Sequence, residues 1–230
     1  MKKLFFLLPL LVLTFACVQN NGAKSDNSKQ DAPLALVNFD TIALLAPDTL
    51  SGVPLLTAMQ NRHSDRQFGS QNLSLRQLSE ILWAANGVNR PEKGFRTVPS
   101  AMAKFPILCY AFLENGAYYY QPESHKLIPV LEGDYRYLTG MQEFVKTAAL
   151  NLVFIADYGK YGDRPLPADQ RLWFASLDAG HSCQNVYLYC ASEGLRSVER
   201  AMANGAELLQ ALQLDENHQF IISQTVGVAP

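Results

Sequence analysis

Between Ser74 and Ala85 the apolar residues fall at Leu75, Leu78, Ile81 and Leu82, the three- and four-residue spacing of one helix face. Ser74 and Gln77 stand three apart at its start, the pattern of a capping box, and Asn86-Gly87 marks its end. A shorter helix is predicted over Val53 to Asn61 and another over Met141 to Leu150. The long stretch Ala168 to Glu193 reads as one helix stopped at Gly194, and Asn204 caps a last one reaching Leu214. Elsewhere the pattern is that of strands. Ile107 to Leu113 is an apolar run, Asn115-Gly116 a tight turn, and Ala117 to Tyr120 the returning strand. Pro122 to His125 makes a second turn before a strand over Lys126 to Leu131. Asn151 to Asp157 reads as a buried strand and Gln219 to Val228 as a terminal one, while Val88 to Pro99 is a loop rich in Pro, Gly and charge. Hairpins and helices in mixed order predict an α+β fold, a largely antiparallel sheet flanked by helices.

The first residues follow another rule. Met1-Lys2-Lys3 is basic and Leu4 to Phe15 almost wholly apolar, shorter than the ~20 residues that span a bilayer as a helix but fitting a secretory segment. Leu13-Thr14-Phe15-Ala16-Cys17 resembles a bacterial lipoprotein signal, which implies cleavage before Cys17 and lipidation of that residue. The expected address is the cell envelope: lipid-anchored to a bacterial membrane, facing periplasm or cell surface. Val18 to Pro33 is small and polar, a flexible tether. The expected division is residues 1–16 signal, 17–33 tether and 34–230 a single domain.

With 48% hydrophobic residues, 17% charged residues and a formal charge of −2, the composition is that of an ordinary globular protein. Loss of Lys2 and Lys3 with the signal makes the mature chain more acidic still. General affinity for nucleic acid or anionic lipid is thereby excluded, and any basic group must act locally. Cys109, Cys183 and Cys190 lack zinc-ligand spacing and are expected as buried free thiols; no metal site is predicted.

Chemistry concentrates in Arg62-His63-Ser64-Asp65-Arg66-Gln67-Phe68. In an extended backbone Arg62, Ser64 and Arg66 point the same way, two fork-shaped cations flanking a hydroxyl, which suits a phosphate. A solvated charged turn would read the same. Lys160-Tyr161, after the strand ending at Asp157, could take a proton as a lysine–phenol pair, although Asp157, Asp163 and Arg164 also make it a charged loop. His181 shares a helix with the small residues Ala175, Ser176, Ala179, Gly180 and Ser182 and is expected as a buried core histidine. Trp83, Asp178 and alternate members of Tyr118-Tyr119-Tyr120 are expected to be structural.

Five blocks in order carry a resemblance: Arg62-His63-Ser64-x-Arg66-x-Phe68; Leu73-Ser74-Leu75 through Trp83-Ala84-Ala85-x-Gly87; Arg96-Thr97-Val98-Pro99-Ser100-Ala101; Leu177-Asp178-Ala179-Gly180-His181-x-x-Gln184-Asn185; and Gly194-Leu195-x-Ser197. Together, from about Met59 to Pro230, they resemble the nitroreductase family of FMN flavoproteins, most of all its azoline-dehydrogenase branch. The resemblance implies an intertwined homodimer with FMN at the subunit interface and a small-molecule substrate. It also implies that Arg62 and Ser64 hold the FMN phosphate and ribityl end, with His63 alongside and Arg66 nearer the pyrimidine edge. A cation there would stabilise the charge gained on reduction. Pro99, Ser100, Ala101 and Met102 would cover the flavin from the partner chain, and the backbone of Ala201 and Met202 would approach N5. Lys160 and Tyr161 would match a pair found in azoline dehydrogenases. The expected function is hydride transfer between a small organic substrate and flavin; because an exported enzyme would not meet NAD(P)H in quantity, either a different reductant or an oxidase-type reaction that dehydrogenates an organic substrate is expected. Two departures from the family pattern motivate an alternative, a non-catalytic binding lipoprotein on the same scaffold. Arg200-Ala201-Met202 stands where small glycines are usual, and the C-terminal Gly227-Val228-Ala229-Pro230 has no basic residue. Arg200 or Arg196 would then complete the phosphate site.

Overall fold

The computed structural model describes residues 31–162 and 166–230. Cys17, the signal, most of the tether, Asp163 and Arg164 lie outside the described residues. Among the described residues the main sheet has seven strands, in the order β1-β6-β5-β4-β7-β9-β8. They are β1 (Ile42–Ala43), β4 (Ile107–Leu113), β5 (Gly116–Gln121), β6 (Lys126–Glu132), β7 (Leu150–Asp157), β8 (Arg196–Arg200) and β9 (His218–Gly227). Every pairing in it is antiparallel. Two further strands, β2 (Val88–Arg90) and β3 (Phe95–Arg96), form a separate ribbon inside the expected loop. Among the described residues the α-helices are α1 (Leu55–Asn61), α2 (Leu75–Asn86), α3 (Ala168–Glu193) and α4 (Gly205–Ala211).

The central strands are buried on both faces, which is why their sequences read as apolar runs rather than alternations. On β4, Cys109, Ala111 and Leu113 join one core with Leu78, Ile81 and Leu82 of α2 and Ala179 and Cys183 of α3. Tyr110 and Phe112 point the other way, into a second core with Val153, Ile155 and Leu208. Burying each large α2 side chain is worth roughly 1.5–3 kcal/mol, so this apolar face dictates how α2 docks. Its capping box forms as the sequence requires: Gln77 N–H donates to Ser74 Oγ, and the Ser74 N–H donates to Gln77 Oε1. Gly87 ends α2 in an extended conformation; a Cβ there would run into Trp83, so close approach is what requires glycine. Gly194 ends α3 in the left-handed region at φ 69°, which glycine adopts without penalty.

Two expectations are corrected. Met141 to Leu150 is no α-helix: a short 3-10 turn over Glu143–Lys146 precedes β7, which already begins at Leu150. The Val145 carbonyl accepts from Asn151 Nδ2 and the Ala148 carbonyl from Arg136, so side chains take the bonds a helix would have used. His181 is exposed rather than buried. Within the small-residue stripe, Ala175, Ala179 and Ser182 pack inward while Ser176 and Gly180 face solvent. Among the described residues Cys109, Cys183 and Cys190 are buried and unpaired, as expected.

Candidate functional site

The segment after α1 runs extended beside the β8 edge, held there by Asp65 N–H donating to Ser197 O (2.9 Å) and Gly69 N–H to Val228 O (3.0 Å). Arg62 and Ser64 converge on one residue of α3. The Arg62 guanidinium lies over the Tyr187 ring, 5.2 Å from its centre, and Ser64 Oγ is 2.9 Å from the Tyr187 hydroxyl. That hydroxyl also accepts the Glu199 N–H of β8 at 2.8 Å. Asp65, next after Ser64, turns back: its carboxylate pairs with Arg196 and lies 2.7 Å from His63 Nε2. His63 Nδ1 faces the Asn61 carbonyl at 2.6 Å. Arg66 is exposed. Among the described residues neither Arg62 nor Arg66 is paired with a carboxylate. The one acid in the segment is thus neutralised by Arg196, and the remaining donor set is cationic. That set suits a phosphate.

Two arginines expected as a reserve behave differently. Arg200 cannot reach the phosphate position: it is buried, donating to Thr139 O (2.7 Å) and Asn151 Oδ1 (3.0 Å). Burial pulls its guanidinium down to about 10. Arg196 is committed to Asp65, with its Nε buried and without a partner among the described residues. Ala201 and Met202 follow β8 directly and are exposed, the Met202 carbonyl accepting from Met141 N–H. These two residues continue β8, the strand whose Ser197 carbonyl holds the cationic segment.

Pro99, Ser100, Ala101 and Met102 lie elsewhere. Ser100 accepts from Phe105 N–H at 2.8 Å, and its hydroxyl and the Ala101 N–H bond to Asp178. Burial pushes the Asp178 carboxyl above its ordinary range, while those two hydrogen bonds pull the other way. The turn stores strain, since Met102 (φ 55°), Ala103 (φ 51°) and Phe105 (φ 47°) all occupy the left-handed region without being glycine. Asp178 and Tyr187 are nine residues apart on α3, roughly 14 Å at 1.5 Å per residue. Within one chain, then, the Ser100 turn and the Arg62 segment sit on different stretches of the helix.

Lys160 and Tyr161 do not share a face. Tyr161 is 1% exposed and its hydroxyl has no hydrogen-bond partner among the described residues, whereas Lys160 is exposed. Burial, helped by the charge of Asp178, pushes the Tyr161 phenol up to about 12, away from the range useful to a proton acceptor near neutrality. Tyr187 and Asp65 were not singled out from the sequence as site residues. The available signal at Tyr187 was a phenol on a core stripe (Cys183, Tyr187, Cys190), because a buried hydroxyl must find a partner.

Residues 59–228 match the Nitroreductase family. The chain belongs to the nitroreductase family. A family relative from Methanocaldococcus jannaschii is 33% identical over 191 residues, covering 77% of this chain and 92% of its own. The crystal structure of a nitroreductase-family protein from Ralstonia eutropha superposes with a TM-score of 0.79 at 41% identity, covering 87% of this chain and 94% of that one. The NADPH:FMN oxidoreductase of Vibrio harveyi, solved with NAD+, shares the fold at a TM-score of 0.58 and 18% identity, covering 76% of this chain and 68% of its own. The α+β class read from the sequence is thus the nitroreductase fold, and membership supports a flavin-type oxidoreductase.

Proposed function

We propose that this nitroreductase-family protein is an FMN-dependent oxidoreductase, a homodimer that passes hydride between a small organic substrate and the flavin. The observation that carries the reading is the convergence of Arg62 and Ser64 on Tyr187, beside the end of β8 and with Asp65 neutralised by Arg196. The donor set fits the group: guanidiniums for a doubly charged phosphate, a hydroxyl for its remaining acceptor, and exposed backbone at Ala201 and Met202 for the ring edge. When bound, FMN supplies a ring that accepts and releases hydride. Arg62, Ser64 and His63 would hold the phosphate and ribityl end. Arg66 would offset negative charge at the pyrimidine edge, and the Ala201–Met202 backbone would fix the ring's orientation.

A second copy is part of the proposal. The strained Ser100–Met102 turn is held away from the Arg62 segment of its own chain, so it is suited to cover the partner's flavin. Large apolar side chains also stay uncovered along the first half of α3: Leu172 is 39%, Trp173 59% and Leu177 45% exposed. Export and a lipid anchor at Cys17 complete the reading, which favours an electron donor other than a cytoplasmic nicotinamide. The Lys160–Tyr161 pair of the azoline-dehydrogenase resemblance is left without a catalytic role, because its two members face opposite ways.

The purified protein is expected to be yellow, to bleach with dithionite and to regain its colour with an organic acceptor. A colourless protein that refuses added FMN would favour the non-catalytic binding lipoprotein. Rapid reduction by NADPH of a protein that fractionates with the cytoplasm would refute the exported, nicotinamide-independent part.

A further inference from the structure

We infer that Tyr187 is the positioning residue of the phosphate end, its hydroxyl setting the direction in which Ser64 donates and its ring seating Arg62; this rests on the FMN reading above. A phenol has one proton and an oxygen that accepts. The Tyr187 oxygen receives the Glu199 N–H at 2.8 Å, and Ser64 Oγ, 2.9 Å away, stands as the acceptor for its own proton. Ser64 Oγ then accepts from Tyr187, which leaves the serine proton free to donate outward. The bonds run one way, from peptide N–H to phenol to alcohol, and each polarises the next. They end on a donor between Arg62 and Arg66, where an anion gains most from it. The same residue, 5% exposed, carries the Arg62 guanidinium 5.2 Å from its ring centre. One α3 side chain thus fixes two expected phosphate ligands and ties them to β8, the strand that leads into Ala201 and Met202. A merely structural tyrosine would fill space without favouring phosphate over any other part of the ligand.

Three probes separate these roles: FMN, riboflavin (the same ring without phosphate) and inorganic phosphate. Tyr187→Phe keeps the ring and removes the hydroxyl. It is expected to weaken FMN about tenfold, to leave riboflavin within about twofold, and to abolish most of the thermal stabilisation given by inorganic phosphate. Ser64→Ala should do the same, and the double variant should be little worse than either single one, because both break one chain of bonds. Tyr187→Leu, which also unseats Arg62, should weaken FMN further than Tyr187→Phe. Equal losses for FMN and riboflavin in Tyr187→Phe, unchanged FMN affinity, or additive effects of the two single variants would overturn the assignment. A wild-type protein that takes neither flavin, yet is stabilised by phosphate only while Tyr187 is present, would overturn the FMN reading and keep the assignment. Binding of none of the three probes would overturn both.

Discussion

At the β1 edge of the sheet an irregular segment, Leu44 to Asp48, is fastened with bonds that close on themselves. Leu44 N–H donates to His125 O, His125 Nε2–H to Leu45 O, Leu45 N–H to Ser79 Oγ and Asp48 N–H to Glu80 Oε1. Tyr120 donates to the other His125 nitrogen, and Tyr189 to the other Glu80 oxygen. At the β8 edge the segment from Arg62 to Gly69 is fastened by its backbone and by Asp65, but among the described residues neither Arg62 nor Arg66 has a carboxylate partner. Buried donors with internal partners make a surface inert. Donors left over beside a neutralised acid make a place where an anion gains. The same contrast separates the two arginines at the ends of β8: Arg200 spends its guanidinium on Thr139 and Asn151, while Arg196 only cancels Asp65.

Breaking the closed interior costs most. Arg200→Met should lower the unfolding free energy by roughly 3 kcal/mol, since Thr139 O and Asn151 Oδ1 lose a charged, buried donor; urea denaturation measures it. A loss below about 1 kcal/mol would mean that water replaces the guanidinium and that Arg200 is not held by closed internal bonds. Arg62→Ala should do the reverse, leaving stability within about 0.5 kcal/mol while weakening FMN by roughly 30- to 100-fold, as expected for a charge-assisted bond to phosphate.

His125 sharpens the comparison through pH. Leu45 O can only accept, so Nε2 carries the proton and Nδ1 takes the Tyr120 hydroxyl; the ring is held neutral. Burial, against the Leu45 hydrogen bond, lowers its pKa below the ordinary 6.5. The unfolded chain therefore binds the proton first. Stability from this site is complete above 6.5 and is lost as pH falls below it toward the depressed folded value. His125→Asn, which tolerates the positive φ of 50° there, should cost about 1 kcal/mol at neutral pH and flatten that acid slope in urea midpoints. The smallest effect is at Asp178, whose carboxyl is shifted the other way. Its folded pKa lies above the unfolded one, so stability falls as pH rises through that window. Asp178→Asn should remove that part of the slope, and an unchanged profile would place the buried charge elsewhere.

Where burial drives the structure, the chain was readable. The α2 capping box, the Asn115-Gly116 hairpin and α3 with its Gly194 stop all follow from spacing and turn chemistry. β8 was missed because Arg196-Ser197-Val198-Glu199-Arg200 has no apolar alternation; Arg200 is buried through hydrogen bonds rather than hydrophobicity. The β2–β3 ribbon hid in a charged, proline-containing stretch, and Met141 to Leu150 carried helix-like spacing that side-chain hydrogen bonds to its carbonyls override. At the site, Arg62 and Ser64 stood out as an alternating pair. Tyr187 did not, because a tyrosine at a core position looks the same whether its hydroxyl is idle or organises its neighbours. The exposure of His181 and the opposed faces of Lys160 and Tyr161 depend on how α3 and the turn before it are rotated, which residue spacing alone leaves open.

The most direct measurement is a fluorescence titration of FMN into the flavin-stripped protein, beside the same titration of Arg62→Ala. Saturation at one quenched FMN per chain, with affinity falling by one to two orders of magnitude in the variant, is the predicted result. Tight binding that ignores the loss of Arg62, or no binding by either protein, would contradict the account.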